Sequence, residues 1–583
     1  MKYVFEDQSS IKLYARIQKR LSSLKPNSRK KSIDKVFEII PPEFLEEKEK
    51  LTMICQLFAK LARTTFNMGK VVIQLFERIM DQIKKYLQDE SSLFWNIFGG
   101  IMYFKLWMFE EGLISVEKII LSAQLEKTPA IAEYFLPEII DNEPDFFYKE
   151  IKYKFPIFSN EDSYSKETIE KTKLLRKKHF QWIKESGDRH DPSYLEIETN
   201  PLRLAIKLDD VDIFQALLSQ SNLSINSNIQ ESVVEQFVID QHEYRLIEYA
   251  AEYNSINIFK FLLMNDAELK PSLISSAIFS CNYEIIHIVE TKLTQEFEKS
   301  SLLNAIASWN QKVARYVTSN YNFDYLYERE SKNENEDNNN ESKILTIINE
   351  TFYSLNFRFL KSTLLPFFRH NPSFVQRNIH NILFKTFSDM SGYLTLEILK
   401  HPEIDVNYIS KRSKKSFLFA ACQKNNLKAV EILLKYANID VNCLVMFGFS
   451  PLFYSCAFFC DTKILKMLCN HPKIEINAQD ERDGLTAFQM ALSRGNAYAV
   501  KYLTENYNDI EEEAHFSELA SFCLSKRHLM SAKYLVKFFS ENCQKDNFSQ
   551  LIENSRKYLR SQIQSDYSDE FDQIVEEVEK ENN

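Results

Sequence analysis

A block of about 35 residues recurs three times in the second half of the chain. Each copy begins at an asparagine in the segments EIDVN, NIDVN and KIEIN, and Asn407, Asn442 and Asn477 are 35 residues apart each time. A short loop follows, and then come the runs SFLFAACQKNNLKAVEILL, SPLFYSCAFFCDTKILKML and TAFQMALSRGNAYAVKYL. A fixed period of this length is typical of solenoids, in which each unit is stabilised by stacking on its neighbours.

Each copy has the pattern of two short helices. Apolar residues recur at intervals of three and four, which is the spacing of an amphipathic helix. Between the two apolar stretches stands a polar or small segment such as Arg494-Gly495-Asn496. Because the first helix also carries small residues, its partner can approach closely. The unit is therefore predicted to be an antiparallel helix pair with a connecting loop.

These runs resemble the ankyrin repeat, whose pattern is Thr-Pro-Leu-His-x-Ala-Ala, a glycine turn and a second helix that ends in Leu-Leu. Further runs keep the same register at residues 200–218, 245–263, 272–290, 300–317 and 518–535, with weaker units near 343–361 and 380–399. The turn glycine is retained at Gly495, while Asp209, Asn254 and Asn425 replace it elsewhere. Asn and Asp tolerate the left-handed backbone region that this turn requires. The degenerate, Asn-, Lys- and Ile-rich style is also similar to large ankyrin-like families of protists that carry an associated domain of unknown function.

The spacing of the units also predicts their loops. The runs that begin at residues 245, 272 and 300 follow one another too closely to leave room for a projecting hairpin. We therefore expect plain stacked helix pairs there. In the copies after Asn407, Asn442 and Asn477, the β-branched residue before each asparagine should face the stack, and the amide should bond to loop backbone.

The whole chain is predicted to be all-α, a helical N-terminal domain followed by an ankyrin-like solenoid. The expected divisions are a helical domain at 1–142, a linker with a basic helix at 143–199, repeats at 200–326, a disordered Asn- and Glu-rich insertion at 327–343, repeats at 344–540, and a capping helix with an acidic tail at 541–583.

Composition excludes several classes of protein. Only 9 glycines are present, which disfavours glycine-loop nucleotide sites, and a net charge of −10 gives no general attraction to nucleic acid. The N-terminus lacks the apolar segment of a secretion signal, and no apolar run approaches the length of a membrane span. Nine cysteines in such a chain predict reduced thiols. We therefore expect an intracellular, cytoplasmic location, with the nucleus as a second possibility.

Residue types that carry chemistry are not clustered. Cys456, Cys460, Cys469 and His471 together suggest a zinc site, but their repeat positions favour buried structural thiols. The histidines His401 and His471 stand at equivalent points after a second helix, where capping is the expected role. No catalytic, metal or cofactor site is predicted, and the protein is not expected to be an enzyme.

Two basic segments leave a second function open. Residues 25–35 and 171–184 are rich in Lys and Arg, and the second segment also contains Phe180 and Trp182. Cations interleaved with aromatic residues could bind nucleic acid. The alternative is a solvated helix face whose Leu174, Leu175 and Trp182 pack inward, and the acidic overall charge favours it.

Resemblance to ankyrin arrays implies that a partner protein binds the concave face of loops and first helices. The partner is unidentified, nucleic acid is not expected, and the protein itself should be a monomer. For Phe447 and Phe449, packing beneath the loop is an open alternative. The candidate contact residues lie just after each repeated asparagine: Tyr408, Lys411, Arg412, Met446, Phe447, Phe449, Gln479, Asp480 and Arg482.

Overall fold

The computed structural model describes residues 9–582 apart from 26–27, 29, 65–67, 99–100, 126–129, 186–199, 222, 230–243, 322, 324–325, 327–333, 388, 390–391, 402, 446–447, 459, 508–515 and 563–565. Over these residues the fold is all-α, as predicted. The strands found in the described part of the chain are a two-residue antiparallel pair, Asn228–Ile229 with Tyr244–Arg245. Among the described helices, none is long and apolar enough to cross a membrane.

The chain forms two compact units, and each is built from two separate segments. The first unit contains residues 1–113 and 172–404, and the second contains 114–171 and 405–583. The domain limits drawn on the sequence follow chain order, whereas these units follow spatial proximity. Those limits remain predictions.

The N-terminal third is helical, as its periodicity predicts. In the first unit its helices are α1 (Ser9–Leu21), α2 (Lys30–Phe37), α3 (Lys48–Thr64), α4 (Gly69–Glu77), α5 (Met80–Tyr86), α6 (Ser91–Ile97) and α7 (Met102–Glu110), with a 3₁₀ turn at Pro42–Leu45. In the second unit they are α8 (Val116–Leu125), α9 (Ala130–Tyr134), α10 (Leu136–Asn142), α11 (Pro144–Phe146) and α12 (Lys152–Lys154), with a π-helical turn at Phe147–Ile151 and 3₁₀ turns at Pro156–Ser159 and Glu161–Tyr164. The basic helix α13 (Lys166–Glu185) follows.

Helix pairs continue the first unit. They are α14 (Pro201–Leu208), α15 (Val211–Gln220), α16 (Leu246–Glu252), α17 (Ile256–Met264), α18 (Leu273–Phe279), α19 (Tyr283–Lys292), α20 (Thr294–Ala307), α21 (Gln311–Asn320), α22 (Glu334–Tyr353), α23 (Phe357–Phe359), α24 (Leu365–His370), α25 (Pro372–Thr386) and α26 (Tyr393–Leu399), with a π-helical turn at Leu360–Leu364.

The second unit continues with a second set of pairs. These are α27 (Phe417–Gln423), α28 (Leu427–Leu434), α29 (Pro451–Ala457), α30 (Thr462–Cys469), α31 (Ala487–Arg494), α32 (Ala497–Asn506), α33 (Phe516–Ser525) and α34 (Leu529–Asn542), followed by α35 (Lys545–Gln562) and α36 (Asp566–Asn582).

One backbone conformation marks the turn inside successive pairs. Positive φ angles occur there at Asp209, Asn254, Cys281, Trp309, Leu355, Asn425, Gly495 and Arg527. In several pairs the next residue is Asn or Asp, and its side chain caps the second helix; Asn426, for example, accepts from the Ala429 amide at 3.0 Å. The recurrence at Leu355 shows that the weak unit near 343–361 is a helix pair with the same turn.

The N-terminal helices share the core of the first unit with its helix pairs. The Tyr14 ring on α1 lies 5.0 Å from that of Phe357, and the Gln18 side chain accepts a 2.8 Å hydrogen bond from the Arg358 amide. On α3, Gln56 donates to buried Asp389 at 3.3 Å. These contacts join segments more than 300 residues apart in sequence, which local periodicity does not reveal.

The expected disordered insertion at 327–343 is corrected in its second half. Residues 327–333 lie outside the described part, but α22 begins at Glu334. Buried Ile344, Ile347 and Ile348 anchor this helix. Glu341 also accepts a hydrogen bond from Asn378 on α25.

The acidic end of the chain, expected to be a tail beyond the capping helix, forms a packed helix. On α36 the side chains of Phe571, Ile574, Val575 and Val578 are buried, at the three- and four-residue spacing of one helix face. Its acidic face meets cations of the same unit, including Lys533, whose Nζ lies 2.7 Å from Glu581.

Candidate functional site

Three loops of the second unit form a row of projecting hairpins. Each loop connects one helix pair to the next, and the three loops comprise residues 407–416, 442–450 and 477–486. Each contains a short antiparallel bridge, which joins Ile409 to Ser416, Val445 to Phe449, and Gln479 to Thr486. Ser416, Ser450 and Thr486 then cap the first helix of the following pair. We call the exposed side of these three loops the hairpin edge.

The repeated asparagines join each hairpin to the next repeat. The Asn407 amide donates to the Asn438 carbonyl at 2.7 Å, and its oxygen accepts from the Asp440 amide at 2.8 Å. Asn442 makes the same pair of bonds with Lys473 and Glu475, at 2.7 and 3.0 Å. The prediction of backbone bonding is confirmed for these two, with the refinement that the backbone belongs to the following repeat.

The inter-helix turns form a second row of contacts between repeats. The Asn425 oxygen accepts from the Asp461 amide at 2.8 Å, at the start of the next second helix. In the first unit, Asp209 accepts from the Ile258 amide at 2.9 Å in the same way. The residues that replace the turn glycine therefore tolerate the positive φ angle and also hold the neighbouring repeat.

Among the predicted contact residues, Lys411, Arg412, Gln479 and Arg482 are exposed on the hairpin edge. Tyr408 is half-buried, with its ring 6.0 Å from that of Phe417. Met446 and Phe447 lie outside the described residues.

Phe449 and Asp480 contribute to the loops themselves. The half-buried Phe449 ring stacks on Phe453 at 4.8 Å, as the packing alternative expects. Asp480 is buried and accepts hydrogen bonds from the amides of Arg482, Asp483 and Leu485 at 3.1, 3.0 and 2.7 Å. Because these bonds occupy its carboxylate, Asp480 stabilises the third hairpin from within.

Sequence reasoning missed two apolar residues on the hairpin edge. Ile409 and Leu444 each stand two positions after a repeated asparagine and are 41% and 38% exposed. Gln479 occupies the same position in the third hairpin. Counting two residues on from each asparagine would have identified this row.

Another row runs along the first helices. One register position at the C-terminal ends of α27, α29, α31 and α33 is occupied by Lys424, Phe458, Arg494 and Lys526, respectively. The Arg494 guanidinium lies over the Phe458 ring at 5.6 Å. Cations at this position also suit the negative end of each helix dipole.

The N-terminal segment of the second unit contacts these helix pairs at their inter-helix turns, next to the row just described. Gln124 donates to the Gly495 carbonyl at 3.3 Å, and the Phe146 ring stacks on Tyr498 at 4.9 Å. The Glu150 carboxylate accepts from the Met530 amide at 2.9 Å, at the start of α34. These contacts lie at the inter-helix turns, whereas the hairpins lie at the other ends of the antiparallel helices.

The thiols considered for zinc are buried in the repeat core, as their positions predict. Burial raises the pKa of Cys460 and of Cys469 to about 12 and holds that of Cys456 well above its usual range. Such thiols are protonated at neutral pH and are poor metal ligands. In the described part of the chain, no group of three or more His, Cys, Asp or Glu side chains could hold a metal ion.

The basic helix α13 places its aromatic residues inward. Trp182 is buried and stacks on His179 at 5.8 Å, and the Phe180 ring lies 6.2 Å from Trp107. Leu174, expected to pack inward, is 55% exposed. The aromatic side chains that would stack on bases are therefore engaged within the protein.

Helix pairs with a repeated turn, stacked in register and joined by projecting hairpins, define the second unit as a solenoid of helical repeats. Residues 389–480 match the family model for ankyrin repeats, in three copies. Over this stretch the chain is an ankyrin-repeat array, as its sequence predicts. A search among curated proteins found no match.

Proposed function

We propose that the protein is a non-catalytic scaffold or adaptor that binds a partner protein through the hairpin edge of its second unit. Ankyrin repeats generally mediate protein–protein interaction, which supports binding in general terms. The main support for this surface is that the hydrogen bonds of Asn407 and Asn442 hold successive hairpins in one register. Side chains are exposed along the outer side of these hairpins. A row that is already ordered loses little conformational entropy on binding.

The exposed row combines the side-chain types of a binding surface. Ile409 and Leu444 supply apolar area, and Lys411, Arg412 and Arg482 supply charge. Interfaces commonly pair an apolar centre with a polar rim. Residues 114–171 occupy the turn side of the unit, which favours the hairpin edge as the side for a partner.

Affinity capture followed by quantitative mass spectrometry tests this surface. The full chain is immobilised and exposed to extract from cells that produce it. The hairpin-edge variant carries Ile409→Ser, Leu444→Ser and Arg482→Ala. The control variant carries Tyr148→Ser, Ile157→Ser and Lys435→Ala, which alter similarly exposed residues outside the three hairpin loops.

We expect proteins retained by the wild type and by the control variant to be depleted about tenfold or more by the hairpin-edge variant, as loss of about 1.4 kcal/mol would produce. Circular dichroism should show the same helix content for all three proteins. Equal retention by the hairpin-edge variant would show that the partner uses another surface.

A further inference from the structure

The first hairpin is strongly positively charged. Residues 410–416 read SKRSKKS, with four cations and no acidic residue, in a chain whose net charge is −10. The third hairpin reads DERDGLT at the same positions, so the repeat itself does not require these cations. We call Lys411, Arg412, Lys414 and Lys415 the hairpin cations.

The hairpin cations have no carboxylate partner among the described residues. Across the described residues of the second unit, Lys411, Arg412 and Lys414 make no ion pair, and Lys415 Nζ donates to the neutral Gln423 side chain at 2.5 Å. Other cations of the unit do have carboxylate partners: Lys428 and Lys435 both contact Glu431, and Arg556 contacts Asp572 at 2.6 Å.

Their position is also unfavourable for the local backbone. The hairpin leads into the N-terminus of α27, whose dipole places positive charge at that end. Lys415 directly precedes the capping residue Ser416, and burial together with nearby Lys424 lowers the pKa of Lys415. Lys414 also holds a positive φ angle of 53°, where the third hairpin has Gly484. Such a concentration of like charge favours an external anion.

The neighbouring surface favours an acidic peptide over a nucleic acid. Ile409 is exposed within the same hairpin, and Leu444 occupies the corresponding position in the next. An apolar side chain of a peptide can cover these two residues while its carboxylates meet the hairpin cations. The aromatic residues that flank the hairpin cations in sequence, Tyr408 and Phe417, have their ring centroids 6.0 Å apart.

We propose that the hairpin cations, with Ile409 and Leu444, bind an acidic segment of the partner protein that carries apolar side chains among its carboxylates. This proposal rests on the proposed function and adds the chemistry of the partner. Because the attraction is between opposite charges at an exposed surface, it should weaken as salt increases.

Fluorescence anisotropy with three labelled peptides tests the proposal on the full chain. The first is a 12-residue peptide of repeating Glu-Asp-Leu, the second replaces Leu by Ser, and the third replaces Glu and Asp by Gln and Asn. A 12-nucleotide single strand of mixed sequence serves as the nucleic-acid probe. The charge variant is Lys411→Glu with Arg412→Glu, and its matched control is Lys435→Glu, just after α28, with Lys501→Glu on α32.

We expect the Glu-Asp-Leu peptide to bind best, with affinity about tenfold or more weaker for the charge variant and within about twofold of wild type for the control. Equal binding of the Gln-Asn-Leu peptide, or an unchanged affinity of the charge variant, would overturn the proposal. Equally tight binding of the single strand would also overturn it, since the cluster would then attract anions regardless of class.

The two proposals can fail separately. If the hairpin-edge variant loses captured proteins while the charge variant retains them, the hairpin edge binds a partner and the acidic chemistry is wrong. If neither variant changes capture, the proposed surface itself is wrong.

Discussion

Single side chains connect one repeat to the next in this array. Asn407 and Asn442 each bond to a carbonyl and an amide in the segment that leads into the following hairpin, and Asn425 accepts from one amide at the turn side. Apolar stacking alone would let neighbouring repeats slide. These directional bonds at both ends of the helices fix the register instead.

The first residue-scale prediction concerns Asn442. Replacing it with Ala removes two hydrogen bonds to the 473–475 backbone, and we expect a loss of about 1–3 kcal/mol in the free energy of unfolding. Urea unfolding measures this change. Asn438→Ala, at an exposed position that contributes only its carbonyl to the row, should have an effect below about 0.5 kcal/mol. Similar effects of both changes would refute the role given to Asn442.

A second prediction concerns pH. Burial, opposed by a hydrogen bond from Ser276 and reinforced by Glu248, raises the pKa of Glu252 to about 7. Its neutral form is therefore favoured in the folded state, so this group's contribution to stability falls as pH rises from about 4.5 to about 7 and stays low above that. The loss is at most about 3 kcal/mol.

Glu252→Gln should flatten this part of the stability profile and stabilise the protein at pH 8. Urea unfolding of both proteins between pH 4.5 and 8 gives the comparison. Glu268→Gln, which alters an exposed carboxylate, is the control. If wild type and Glu252→Gln respond equally to pH, the carboxyl of Glu252 has an ordinary pKa.

At the scale of elements, α36 shows how composition can conceal a helix. Its segment is rich in Asp and Glu, and that charge alone suggests a solvated tail. However, Phe571, Ile574, Val575 and Val578 share one face and are buried. The three- and four-residue spacing of these side chains is visible in the sequence and predicts the helix that the composition conceals. The helix pairs of residues 416–503 were predictable because their capping, turn and apolar signals are all local.

Hydrogen exchange tests the packing of α36. Amides of residues 571–580 should exchange slowly in the wild type. Val578→Asp places a charge in a buried site, so it should speed exchange in this segment and destabilise the second unit by about 2–4 kcal/mol. Gln573→Asp adds the same side chain on the exposed face and should leave exchange unchanged. Rapid exchange in the wild type would restore the solvated-tail interpretation.

At the scale of the whole molecule, the two compact units do not correspond to continuous stretches of the sequence. The array between 405 and 542 shares its core with residues 114–171, and the helix pairs of 200–399 share theirs with residues 9–110. Sequence periodicity identified both helical regions but could not pair them. Contacts such as Tyr14 with Phe357 depend on distant residues that have no common local pattern. The sequence predicts the hairpin edge in part. The positions of its residues follow from the register of the repeats, whereas the exposure of its apolar residues depends on packing that the sequence does not show.

Glu150 provides a test at this scale. It caps α34 from a segment 380 residues earlier in the chain. Glu150→Ala should leave the Met530 amide without its acceptor and should speed hydrogen exchange in residues 529–535, at a cost of about 1–3 kcal/mol. Asp145→Ala removes a largely exposed carboxylate on the same segment and should change neither quantity. Unaltered exchange in the Glu150 variant would mean that α34 does not depend on this contact.

The long stretch of sequence between Glu150 and Met530 affects folding during synthesis of the chain. At roughly 5–20 residues per second, a ribosome needs about 20–80 s to pass from Glu150 to Met530. Until Tyr498 and the helices beyond it have been synthesised, Phe146, which is buried in the finished protein, lacks the surface against which it packs. The nascent chain thus exposes apolar surface for tens of seconds, so its yield in a cell should depend on chaperones that bind such segments until the last repeats emerge.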